Sequence, residues 1–237
     1  MKKEESIVKP EGRGPRIPGG HLIFMPFLPF PALISEIKKS AKRTINAKPG
    51  ILFYLENKAV LYGPIGAAVS ICTLENIRLL DVKQITLLSY CGSLTKNLRL
   101  GMVLVPESAL SEEGTSRHYI RRKNHLFYAD IKSVLKIKSY LEKNNLPFFT
   151  GSIVSTDAPY RETLSWMKKM QKKGAQAVDM EASAVLAFSE FYGIKAAGLF
   201  IVSDELSSGR WIDGLRQGSV AAATWKYFSP LILDDAN

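Results

Sequence analysis

The sequence predicts a single α/β domain in which a parallel or mixed sheet is covered by helices on both faces. Three observations carry this. Apolar runs of strand length alternate with segments whose apolar residues recur at helical spacing, the pattern of strands wound between helical layers. Glycines stand where the pattern switches, at Gly63, Gly174 and Gly193. The 237 residues, 46% of them hydrophobic, can bury roughly 70–75% of their unfolded surface in one core and are few for two ordinary domains.

In chain order, Ile51 to Leu55 and Ala59 to Tyr62 read as short strands, the second stopped by Gly63-Pro64. Ala67 to Leu80 then has helical character. Gln84 to Tyr90 is a buried strand that ends in Cys91-Gly92-Ser93, and Gly101 to Val105 is another. Ile131, Val134, Leu135 and Leu141 fall at helical spacing within 128–141. A strand at Phe148 to Val154 precedes a lysine-rich helix from Glu162 to Lys173, and a further strand runs into Val178. A helix from about Glu181 to Tyr192 stops at Gly193, a natural residue just past a helix end. The strand Ala196 to Ser203 follows. Leu22 to Ile34 is apolar but carries Pro26, Pro29 and Pro31. It is shorter than the ~20 residues of a membrane helix and lacks a cleavage site, so an irregular packed segment is expected.

The net charge is +10, which suits nucleic acid, an acidic surface or an anionic substrate. The cations sit largely in helical runs such as Lys132, Lys136 and Lys138, or Lys168, Lys169, Lys172 and Lys173, which read as solvated faces. No standard nucleic-acid module is visible. Cys72 and Cys91 give neither a disulfide framework nor a zinc spacing, and with His21, His118 and His125 scattered no metal site is expected. These features fit a cytoplasmic protein.

Two segments put carboxylates at the mouths of apolar runs: Val178 to Ala184, with Glu181 at a strand-to-helix junction, and Gly198 to Leu206, with Asp204 just past a strand. Such positions hold ligand groups in α/β sheets. Cleavage of a nucleoside's glycosidic bond leaves positive charge on the sugar and negative charge on the base. It calls for a carboxylate on the ribose hydroxyls and an acid beside the base. Glu181, following Met180, suits the first role, and Asp204 suits the second. Singly, Glu181 reads equally as a helix-start charge and Asp204 as a helix cap.

Together these segments resemble the nucleoside phosphorylase family of purine nucleoside phosphorylases, uridine phosphorylases and related nucleosidases. The resemblance runs from about Ala59 to Trp211. It includes Ser-Tyr-Cys-Gly-Ser-Leu at 89–94, Ser-Glu-Glu-Gly-Thr-Ser-Arg-His-Tyr at 111–119 and Ser-Thr-Asp-Ala-Pro-Tyr-Arg-Glu at 155–162. It implies a three-layer α/β/α sandwich around a mixed central sheet, with residues 1–237 as one domain and 1–50 as its divergent N-terminal part. It places Cys91, Gly92, Pro159, Tyr160 and Arg161 near the base, Met180 and Glu181 on the ribose, and Asp204 at the base as the catalytic acid. An aspartate there favours a purine over uridine. No cofactor is implied beyond phosphate as co-substrate, and a homo-oligomer, dimer-based and up to a hexamer, is expected.

The family's phosphate site is not matched. Its N-terminal Gly-Asp-Pro-x-Arg loop is absent, Leu87 stands where an arginine belongs, and Tyr90 replaces a small hydroxyl residue. Lost charge-assisted contacts to an anion are worth ~1.5–3 kcal/mol each. Arg117, His118 and Arg121, with Arg122, offer a replacement. Phosphorolysis of a nucleoside is the leading expectation, hydrolysis by the same carboxylates the first alternative, a non-catalytic nucleoside-binding protein the second, and nucleic-acid association the weakest.

Overall fold

The computed structural model describes residues 6–27 and 30–234. Its elements are β1 (His21–Met25), α1 (Pro31–Ser40), β2 (Arg43–Ala47), β3 (Gly50–Tyr54), β4 (Ala59–Tyr62), α2 (Ala67–Ile77), β5 (Gln84–Ser93), β6 (Val103–Glu112), α3 (Ser116–Tyr119), β7 (Leu126–Tyr128), α4 (Ile131–Lys143), β8 (Phe149–Thr156), α5 (Leu164–Lys172), β9 (Ala175–Asp179), α6 (Ala182–Tyr192), β10 (Lys195–Glu205), β11 (Ile212–Asp213) and α7 (Gly218–Leu233). All the strands join one mixed sheet in the order β11-β10-β6-β8-β9-β5-β1-β4-β3-β2, with β7 on β6 and a further pairing between β10 and β5. The last pairing closes β5, β10, β6, β8 and β9 into a ring, while β1 to β4 extend from it as an open wing.

Strand composition explains this arrangement. β1, β5 and β10 read as near-continuous apolar runs, as strands covered on both faces must. One apolar cluster gathers α2 and α6 residues such as Leu74 and Phe188 with Phe24 and Leu87, and a second gathers Leu33, Val134 and Phe228 from α1, α4 and α7 with Ile23 and Leu199. Alternate residues of a strand therefore face opposite helical layers. Full burial of side chains such as Phe188, Phe200 and Phe228 is worth roughly 1.5–3 kcal/mol each. α6 is buried all round its first eight residues, whereas α4 buries Val134, Ile137 and Leu141 and exposes Lys132 and Lys136. Asp130 caps α4 through the Ser133 amide, Thr163 caps α5 through the Trp166 amide, and Gly193 ends α6 at φ 70°.

Several expectations are corrected. Leu22 to Ile34 is not irregular: Leu22 to Met25 belong to β1, a strand inside the sheet, and Pro31 opens α1 in the first-turn position that tolerates proline. Residues 28 and 29 lie outside the described residues. β5 runs on through Cys91, Gly92 and Ser93, and β6 reaches Glu112, because both strands keep partners beyond the apolar run. β2, β7, β11 and α7 carry weak or unread signals. Among the described residues no helix is long and apolar enough to cross a membrane.

Candidate active site

β5 changes partners along one edge. Residues Gln84 to Leu87 pair with β1, Gly92 and Ser93 pair with β9, and Leu88 to Cys91 lie between the two. β1 and β9 thus diverge at the carboxyl end of β5, making the kind of crevice where α/β sheets hold ligands. A cavity of about 510 Å³ opens there, lined by Ser89 to Gly92, Pro26 and Phe27 after β1, Val178 to Glu181 at the end of β9, and Ser203 and Asp204 on β10. Its volume is that of a small-molecule site.

Glu181 stands at the N-cap position, just before α6, but its side chain does not cap the helix. Asp179 Oδ2 accepts from the amides of Glu181 at 3.0 Å and Ala182 at 2.7 Å, and Oδ1 accepts from the Ser155 hydroxyl at 2.6 Å. The Glu181 carboxyl is released from the helix end and instead accepts from the amide of Gly66 at 2.5 Å. Burial, and secondly the charge of Asp179, push the Glu181 carboxyl well above its ordinary pKa. Asp179 is raised too, by burial.

Asp204 does not lie past the strand but within β10, next to its final residue. The register slips between Val202 and Asp204, a bulge that turns Ser203 and Asp204 together into the cavity. Glu205, next along, turns away and accepts from Arg99 Nε at 3.1 Å and the Leu100 amide at 3.0 Å. Asp204 Oδ1 accepts from the Ser203 hydroxyl at 2.7 Å, and Oδ2 from the Trp211 indole N–H at 3.1 Å. Burial raises its pKa against these two donors. Gly92 is required by the close approach: a Cβ there would stand 2.8 Å from Asp204 Oδ2 and 2.7 Å from Leu206 Cδ1.

Cys91 lies between the two carboxylate groups. Burial first, then the charges of Asp204 and Asp179, push its thiol well up, so it presents a neutral, weakly polar surface and no thiolate. Pro159 and Tyr160 line the cavity mouth, Tyr160 wholly exposed. Glu162, after the turn Pro159–Arg161, also lines the cavity. Burial, then the charge of Asp204, bring its carboxyl up to about 7.

Of the residues expected from the sequence, the structure brings Cys91, Gly92, Pro159, Tyr160, Met180, Glu181 and Asp204 to this one cavity. Arg161 is exposed and does not line it. Arg117, His118 and Arg121 line a separate cleft, with Arg122, Lys123, His125, Lys169 and Lys173, that shares no lining residue with the cavity. The reason is Glu113, whose buried carboxylate accepts from the hydroxyls of Ser111, Ser116 and Ser183 and folds the 111–119 segment away from the crevice. Leu87 is core, and the Tyr90 hydroxyl is bonded to Thr224 Oγ1 at 2.7 Å. Sequence reading missed Asp179, Ser203, Trp211 and Glu162, although Asp179 and Ser203 sit beside the two carboxylates it singled out.

The family model described as the phosphorylase superfamily matches residues 56–218. The chain belongs to that superfamily. Among its relatives is a DeoD-type purine nucleoside phosphorylase of Bacillus velezensis, 27% identical over 142 residues, which are 60% of this chain and 61% of the relative. The match thus spans about three fifths of that relative's length. Among solved structures, purine nucleoside phosphorylase from Toxoplasma gondii, in complex with immucillin-H, superposes with a TM-score of 0.74 at 18% identity, covering 97% of this chain and 95% of that one. AMP nucleosidase from Bacteroides thetaiotaomicron superposes with a TM-score of 0.70 at 17% identity, covering 88% and 89%. Both structures share the fold of this superfamily member, a central mixed sheet between helical layers.

Proposed function

We propose that this enzyme cleaves the N-ribosyl bond of a purine nucleoside and that water is the incoming group. The observation that carries the reading is one cavity holding Glu181 and Asp204 on different walls with four carboxyl groups and no cationic side chain among its lining residues. As the C–N bond breaks, positive charge grows on the sugar, and the acidic lining stabilises it more than it stabilises the neutral substrate. Glu181 accepts from the ribose hydroxyls beside Met180, and Asp204 receives the base, with Ser203 and Trp211 fixing its orientation.

A phosphate dianion fits this lining poorly, because each ionised carboxylate about 4 Å away opposes it by about 4 kcal/mol per unit of its charge near a protein surface. Leu87 and Tyr90, placed in the core and on Thr224, support the same conclusion. Phosphorolysis is the second reading, favoured by the purine nucleoside phosphorylases among the relatives. It requires cations from another copy of the chain, and a homo-oligomer belongs to that reading. The preference for a purine rests on the aspartate at position 204 and on those relatives.

The test is a panel of purine and pyrimidine nucleosides incubated with and without phosphate, with ribose separated from ribose 1-phosphate. Free ribose from purines in both buffers agrees with the proposal. Ribose 1-phosphate formed only with phosphate selects the second reading, and binding without product selects a non-catalytic role.

A further inference from the structure

We propose that Glu162 is a second acid of this cavity, sharing a single proton with Asp204 and supplying it to the departing base. The inference rests on the N-ribosyl cleavage proposed above and concerns its proton. The two carboxyls line the same cavity from different elements, Asp204 from β10 and Glu162 from the turn that precedes α5. Their surroundings differ in one decisive way. Both Asp204 oxygens accept hydrogen bonds: Oδ1 from the Ser203 hydroxyl, which also reaches the Cys91 carbonyl at 3.4 Å, and Oδ2 from the Trp211 indole N–H, which can only donate. Those contacts favour the ionised form of Asp204. The Glu162 carboxyl makes no hydrogen bond and no ion pair among the described residues, so nothing there holds it ionised.

Among the residues lining the cavity every titratable side chain is acidic, the Tyr90 and Tyr160 hydroxyls included. Asp213 on β11 faces Asp204, Asp179 and Glu181 stand at the β9–α6 junction across the cavity, and the Cys91 thiol lies between. Arg161, the nearest cation in sequence, is exposed and off the cavity. Two carboxyls in such a setting do not ionise together: burial, and then the charge of Asp204, keep the proton on Glu162. In the reaction that proton passes to a nitrogen of the base as the C–N bond breaks and its electron pair stays with the base. Water adds to the sugar, and the proton it sheds restores the carboxyl pair.

The experiment has two arms on the full chain. In the first, carboxyl carbons labelled with ¹³C are titrated in the wild type, Glu162→Gln and Asp204→Asn. A glutamate resonance with a midpoint near 7, absent in Glu162→Gln and moved to lower pH in Asp204→Asn, is expected. A Glu162 midpoint in the ordinary carboxylate range overturns the shared proton. In the second, kcat for a purine nucleoside is followed against pH. Wild-type kcat is expected to fall as pH rises through about 7, and Glu162→Gln to lose on the order of 10²-fold with its decline displaced to lower pH. An unchanged profile in an active Glu162→Gln enzyme overturns the proposal alone. A shared proton found by titration in a protein that cleaves no nucleoside overturns the cleavage reading, and this role of Glu162 with it.

Discussion

Asp179 holds the backbone N–H of Glu181, two residues on, at 3.0 Å. It thereby takes over the helix end that Glu181 would otherwise cap. A buried carboxylate at a helix start is ordinarily consumed by the orphan amides. Here the duty is divided, and the Glu181 carboxyl is left to Gly66 and the cavity. Asp179→Ala should therefore cost stability, about 2–4 kcal/mol, since it strips the cap and leaves the Ser155 hydroxyl without its acceptor. Chemical denaturation would measure it. Wild-type stability in Asp179→Ala would mean that another group caps α6.

Glu181→Ala should weaken nucleosides by roughly 1.5–3 kcal/mol and free bases less, because the lost acceptor touches the sugar only. Calorimetry with nucleoside and base separately makes the comparison. Equal losses for both ligands would assign Glu181 a structural role.

How much of this was legible beforehand depended on the kind of signal. Apart from α3 and β7, the strands and helices from Ile51 to Ser203 are legible in apolar periodicity, and so are the junctions that carry Glu181 and Asp204. β1 is not, because the prolines at 26, 29 and 31 mask a strand that ends one residue before the first of them. The bulge at Ser203 and the partner switch of β5 are products of strand pairing, which no local pattern encodes. Glu162 is invisible in sequence for the same reason: its weight comes from lying near Asp204, 42 positions away. The charge of the basic segment at 117–122 fits a replacement anion site and a solvated loop alike. It was Glu113, with its serine donors, that decided where it folds.

Gly92→Ala should leave the fold intact and damage the site. The added methyl meets the Asp204 carboxyl and Leu206, and the relief available is a shift of Asp204 into the cavity. A loss of about tenfold or more in kcat/KM, with Tm lowered by no more than a few degrees, is expected. Full activity in Gly92→Ala would show that the position of Asp204 is not critical.

The pH dependence of stability follows from the raised carboxyl of Glu162. Folding lifts its pKa from 4.5 to about 7, so the native state binds more protons than the unfolded one in that window. Its contribution is therefore unfavourable above about 7 and vanishes as pH falls below 4.5. Glu162→Gln should melt higher than the wild type at pH 8, and the two should converge near pH 4.5. Parallel melting curves across this range would remove Glu162 from the titrating groups.

Asp204→Asn is nearly isosteric and keeps an acceptor for Trp211, so it should fold while losing roughly 10²–10⁴-fold in purine nucleoside cleavage. Undiminished turnover would take Asp204 out of the reaction.

The central claim, cleavage by water in an acidic cavity, is tested most directly by isotope. A purine nucleoside is incubated with the enzyme in phosphate-free buffer made with ¹⁸O water, and the sugar product is weighed by mass spectrometry. The account predicts free ribose carrying one ¹⁸O, released at a rate that added phosphate does not raise. No turnover until phosphate is supplied, followed by unlabelled ribose 1-phosphate, would contradict it.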